Sequence, residues 1–120
     1  MLNKADVVAF VPTRDPGKAR AFYEDVLELH FVSEDPFALV FNANGVMIRI
    51  ANVSTVADFK PASFTILGWH VPDVDASIGE LEAKGVAFER FPWMEQSERG
   101  VWTSPSGARI AWFKDPDGNV

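Results

Sequence analysis

Asp15-Pro16-Gly17-Lys18-Ala19-Arg20-Ala21-Phe22-Tyr23-Glu24-Asp25-Val26-Leu27 is the stretch whose reading decides the fold. Asp15 offers a side-chain acceptor to the free amides of a first helical turn, and Pro16 has its φ already set for that turn. Ala19, Phe22, Tyr23, Val26 and Leu27 recur at helical spacing, which predicts an amphipathic helix with one buried face. Upstream, residues 7–12 are apolar between Asp6 and Thr13-Arg14-Asp15 and read as a strand. Downstream, residues 30–32, 37–41 and 46–51 read as three more. The last two are joined by Asn42-Ala43-Asn44-Gly45, where Asn-Gly supplies the positive φ of a tight hairpin turn. Residues of about 5–51 therefore read β-α-β-β-β.

The pattern restarts after a polar stretch, about 52–63, that contains Pro61. Residues 64–71 read as a strand. Pro72-Asp73 opens a helix with Val74, Ile78 and Leu81 on one face, and Lys84-Gly85 closes it. Residues 86–90, 101–103 and 108–113 read as strands, the last two joined by Pro105-Ser106-Gly107. Residues 91–99 form an irregular loop, and Asp115-Pro116-Asp117-Gly118-Asn119 is a turn into Val120. The second module, about 64–120, thus repeats the element order of the first, with Asp15 and Asp73 as the anchor pair. The fold class this predicts is α+β: two tandem β-α-β-β-β modules in a single domain, forming a curved mixed sheet with helices outside and a concave inner face.

Bulk properties narrow the function. The chain has 120 residues, room for one ordinary domain. A net charge of −6 with no Lys/Arg cluster argues against nucleic acid and against anionic membrane surfaces. The absence of cysteine excludes disulfides, thiolate catalysis and thiolate metal sites, and fits the cytoplasm. The first residues, Met1-Leu2-Asn3-Lys4-Ala5-Asp6, have no apolar core of a secretory signal. There is no Ser-His-Asp order, nucleophile elbow, P-loop or dinucleotide fingerprint.

The 15–27 stretch, Val71-Pro72-Asp73-Val74-Asp75-Ala76 and Phe113-Lys114-Asp115-Pro116-Asp117-Gly118-Asn119 together resemble the vicinal-oxygen-chelate superfamily of glyoxalases, bleomycin-resistance proteins and dioxygenases. Glu28 stands where that family usually has glycine. The resemblance covers essentially the whole chain. It implies a final strand after the Asp-Pro-Asp-Gly-Asn turn, so the fold is read with its last strand cut short. It also implies metal ligands near the start of the first strand and on the last strand of each module. Seven residues before Asp15 stands Val8, and seven before Asp73 stands Ile66. The last-strand position counted from Gly45 falls at Arg49. Two aliphatic side chains and a fixed cation cannot coordinate a divalent ion, so no metal and no cofactor are expected.

Strand alternation from Val8, Ile66 and Arg49 gives Phe10, Met47, Arg49, Ile66 and His70 as ligand-binding residues of the hollow, and Trp112 joins them because Phe113 resembles the family's core aromatic before the Asp-Pro-Asp-Gly-Asn turn. Leu67, Trp69 and Val71 are expected under the helix, and Phe113 in the core. Arg49 either clamps an anion or pairs with a neighbouring acid. His70 is the candidate catalytic base if there is chemistry, and His30 reads as a solvated surface residue. The loop with Trp93, Met94 and Glu95, near Trp102, reads as a lid, as ordinary packing or as a dimer contact. Three functions remain open at this point. The leading one is a metal-independent protein that binds a small organic ligand, as a homodimer. The others are a lyase, isomerase or dioxygenase, and a module whose cup or sheet edge another chain fills. The acidic charge suits a cationic ligand and Arg49 an anionic one.

Overall fold

Apolar residues at every second position need a covered face, and the first half of the chain supplies it. In the computed structural model, which describes residues 1–120, β1 is Val8–Thr13. The helix begins at Pro16 as α1 (Pro16–Ala21), with the Asp15 carboxylate accepting from the Lys18 N–H at 3.2 Å. It widens into a π-helical turn over Phe22–Val26. Glu28 then adopts φ 59°, a left-handed conformation that glycine takes without strain. β2 (His30–Glu34), β3 (Ala38–Ala43) and β4 (Val46–Asn52) follow, with Asn44 and Gly45 both at positive φ in the β3–β4 turn.

The four strands form one mixed sheet in the order β1-β4-β3-β2, with β1 parallel to β4 and the other pairs antiparallel. One face packs on the helix. Val11, Leu39, Phe41, Ile48 and Ile50 meet Ala19 and Tyr23 there, and none of the seven is more than 4% exposed. The Tyr23 and Phe31 rings tilt against Phe41 at 6.1 and 5.5 Å.

The second half starts with the same signals and completes fewer of them. α2 (Val74–Ala83) is capped by Asp73, which accepts from the Ala76 N–H at 3.1 Å. Gly85, at φ 90°, lets the Val86 N–H turn back to the Leu81 carbonyl and end the helix. The strand expected over 101–103 is β5 (Trp102–Thr103), and only Arg109–Ile110 of 108–113 forms a regular strand, β6. Residues 86–90 contribute a single bridge, Phe88 to Phe113. The strand expected over 64–71 is not in any ladder: its one backbone hydrogen bond runs from the Ile66 N–H to the Val120 carbonyl at 3.0 Å. The reason is positional. β1 becomes a strand by pairing with β4, whereas the only backbone partner of 64–71 is the Val120 carbonyl. Beyond Ile50 the only buried apolar side chains are Ile78 and Val101.

The turn at 115–119 ties this half to the first. Asp115 accepts from the Tyr23 hydroxyl at 2.7 Å, from the Asp117 and Asn119 N–H groups at 2.9 Å each, and from Asn119 Nδ2 at 2.9 Å. Asp117 accepts from the Thr13 hydroxyl at 2.6 Å and from the Arg14 N–H at 2.9 Å. Asn119 Nδ2 also donates to the Pro12 carbonyl. Burial, and next the charge of Asp115, hold the Tyr23 phenol well above its ordinary pKa.

Candidate functional site

The face of the sheet turned away from α1 is exposed at Val8, Phe10 and Met47 and buried at Ala38 and Val40. Register sets two rows of neighbours across it: Val8-Met47-Asn42-His30 and Phe10-Arg49-Val40-Ser33. The alternation expected for β1 and β4 is therefore observed. Ile48 and Ile50 are buried, while Val8, Phe10 and Met47 are 40%, 64% and 45% exposed on the opposite side. Arg49 lies beside Phe10 with no carboxylate within 4.0 Å, so the alternative of an acid partner is not realised. Asp35 feels its charge, but the Phe37 and Ala38 N–H groups are what chiefly lower the Asp35 pKa. His30, read from sequence as a surface residue, is exposed at the end of the Met47 row. Sequence could not place it there, because its position depends on how β2 pairs with β3 across the bulge between Phe31 and Ser33.

The other three expected lining residues lie elsewhere. Ile66, His70 and Trp112 line a cavity of about 950 Å³ between residues 65–74, α2 and residues 108–113; Phe10, Met47 and Arg49 are not part of that lining. Ile66 and Leu67, consecutive in the chain, both pack on the first-half core, so the expected alternation fails where there is no ladder to enforce it. Trp69, expected under the helix, is 41% exposed and stacks on Phe113 at 6.2 Å. Phe113 also touches Phe22 and Phe88, a junction between the halves. His70 is exposed and has no hydrogen-bonded carboxylate to orient it as a base.

The 91–99 loop is stitched to its own base. Gln96 accepts from the Phe91 N–H and donates to the Glu89 and Gly100 carbonyls, and Arg90 donates to the Ser97 and Glu98 carbonyls. These bonds pack the loop on its own base. It presents Trp93, 76% exposed, on Phe91 at 5.5 Å.

Two similar halves, each with an Asp-capped helix, the first built on a four-stranded mixed sheet and the second sewn to it by a polar turn, define a glyoxalase/bleomycin-resistance-like fold. The family model of the Glyoxalase/Bleomycin resistance protein/Dioxygenase superfamily matches residues 4–120, and the chain belongs to that superfamily. Similar solved structures include a superfamily member from Sphaerobacter thermophilus, 25% identical, covering 99% of this chain and 94% of that one with a TM-score of 0.76. A lactoylglutathione lyase from Agrobacterium tumefaciens is 22% identical over 97% and 89% of the two chains, with a TM-score of 0.71. TnmS3, an antibiotic-binding protein from Streptomyces sp. CB03234, is 24% identical over 99% and 93%, with a TM-score of 0.67. No match is found among curated proteins.

The family's metal does not fit the residues present. Val8 and Arg49, on adjacent strands of the open face, offer no donor and a fixed positive charge, and Ile66 packs on the core. No three His, Asp or Glu side chains stand close enough together to share an ion. No helix is long and apolar enough to cross a membrane.

Proposed function

We propose that this protein binds a small, planar organic molecule carrying an acidic group, without a metal ion, on the open face of the four-stranded sheet. The observation that carries the reading is the pairing of Phe10 with Arg49: an exposed ring beside a guanidinium with no carboxylate within 4.0 Å. Phe10, Met47 and Val8 supply apolar contact, at about 25 cal/mol per Å² removed from water. Arg49 supplies a two-pronged donor for a carboxylate or phosphate, which supports an anionic ligand despite the acidic net charge. TnmS3 supports a binding role on this fold. In this reading residues of about 5–51 and 64–120 are two modules of one domain, and the first holds the ligand.

Titration calorimetry with naphthoate and naphthylamine on EDTA-treated protein tests it. Naphthoate is expected to bind better than naphthylamine, and to bind equally well before and after EDTA. Arg49→Met is expected to weaken it at least tenfold, and Phe10→Ala severalfold. Binding that disappears with EDTA, or that neither substitution changes, overturns the proposal.

A further inference from the structure

The two rows of side chains turned away from α1 differ in how far they stay exposed. The row Phe10-Arg49-Val40-Ser33 is interrupted on β3, where Val40 is buried. The row Val8-Met47-Asn42-His30 is not. All four of its residues are exposed, one on each strand of the sheet. Residues directly opposite one another across a ladder share a face, so the four side chains stand on the same side. An elongated molecule on this face therefore has one uncovered course across all four strands, along the Met47 row.

The chemistry changes along that course. Val8 and Met47, on β1 and β4, are apolar and stand next to Phe10 and Arg49. Asn42 and His30, on β3 and β2, are polar, and each holds a donor that the chain leaves unused. Asn42 Oδ1 accepts from the Gly45 N–H at 2.8 Å, which fixes the amide and leaves Nδ2 as its free end. His30 has no carboxylate within 4.0 Å. Its imidazole carries at least one N–H whether neutral or protonated. The acids nearest to it along the chain are held by other cations: Glu28, just before β2, by Lys84 at 3.2 Å, and Glu34, at its end, by Arg20 at 3.8 Å. Strand separation and rise put the Cα atoms of Asn42 and His30 about 8 Å and about 12 Å from that of Arg49. A fused two-ring system with a polar group at each end covers that span, and a molecule with one acidic end does not.

We propose that the ligand of this face is an elongated planar acid with a second acceptor oxygen at its far end. Arg49 takes the acid, the rings lie beside Met47, and Asn42 Nδ2 and the His30 imidazole receive the distal oxygen. Asn42 and His30 are then the residues that select the ligand by length. The proposal rests on the reading of this face as the site of an aromatic acid, and adds the second group that such an acid carries.

Titration calorimetry with 2-naphthoate, 2,6-naphthalenedicarboxylate and 2,3-naphthalenedicarboxylate tests it. The 2,3 isomer has the charge of the 2,6 isomer with both acids at one end. The 2,6 isomer is expected to bind at least fivefold more tightly than either of the others. Two substitutions remove the distal donors: His30→Phe, and Asn42→Asp, which keeps the acceptor for the Gly45 N–H. Each is expected to abolish the advantage of the 2,6 isomer while changing the affinity for 2-naphthoate less than threefold. An advantage below fivefold over either comparator overturns the proposal, as does an advantage that survives either substitution. If 2-naphthoate still binds in an Arg49-dependent way, those results leave the sheet-face reading standing. Failure of all three acids to bind overturns both.

Discussion

Residues 8–13 and 64–71 carry the same strand signal and end differently. β1 lies beside β4 and makes a six-residue ladder, whereas 64–71 has an adjacent wall on only one rung and stays outside any sheet. The helices repeat more faithfully: Asp15 and Asp73 cap their helices through the same contact, at 3.2 and 3.1 Å. A helix closes its hydrogen bonds within itself, so its local sequence suffices to start and stop it. A strand closes them only with a neighbour, so the same local pattern is realised or not according to what lies alongside. The first half therefore holds the core, and the second half is held to it by the hydrogen-bonded turn at 115–119.

That difference is open to attack in three places. The largest effect is expected at the turn. Asp115→Asn replaces a buried carboxylate that accepts four hydrogen bonds with a group that faces donors using a donor, and is expected to cost about 2–4 kcal/mol. Urea denaturation measures the loss. Hydrogen exchange is expected to show protection falling first in α2 and residues 102–113 while β1, β3 and β4 keep theirs. Uniform loss across both halves would mean that the turn does not hold one half to the other.

A second effect follows from Tyr23, the only tyrosine, whose hydroxyl crosses from the helix of the first half to Asp115. Its raised pKa means that the folded chain keeps the phenol proton after the unfolded chain, near its ordinary value of about 10, has released it. The stabilisation is present in full below about pH 10 and falls as the pH rises further, by up to about 1.4 kcal/mol per unit. Thermal unfolding followed against pH, with Tyr23→Phe as reference, reads this. The reference is expected to lose about 1 kcal/mol at neutral pH and to lack the tyrosine's share of the alkaline decline.

The smallest effect lies at Glu28, between the helix and β2. Relief of its left-handed backbone in Glu28→Gly, set against the greater freedom of glycine in the unfolded chain, is expected to leave a gain of about 0.5 kcal/mol. The Lys84 pair at 3.2 Å is too exposed to offset it, because Glu28 is 75% exposed. A rise in denaturation midpoint checks the sign.

The candidate site divides along the same line. That Phe10, Met47 and Arg49 share one sheet face was legible because β1 and β4 are strands in an intact ladder, where alternation holds and one register fixes every side chain. Ile66, His70 and Trp112 were placed by the same alternation on segments without a complete ladder, and they line a different space. The polar turn was legible as a turn and as a family likeness, but not as a tie. Nothing local to Thr13, Tyr23, Asp115 or Asp117 tells which of them will meet.

By itself the sequence determined the superfamily, the two capped helices and the Asn-Gly hairpin. Each depends on residue identity or on spacing along a single stretch of chain. Only the tertiary structure decided that Arg49 stands unpaired beside Phe10, that Tyr23 and Thr13 bind the 115–119 turn, and that 64–71 lines a cavity against α2 and stays outside any ladder. Those outcomes depend on groups distant in sequence coming within hydrogen-bonding reach of one another, and local periodicity carries no record of that distance.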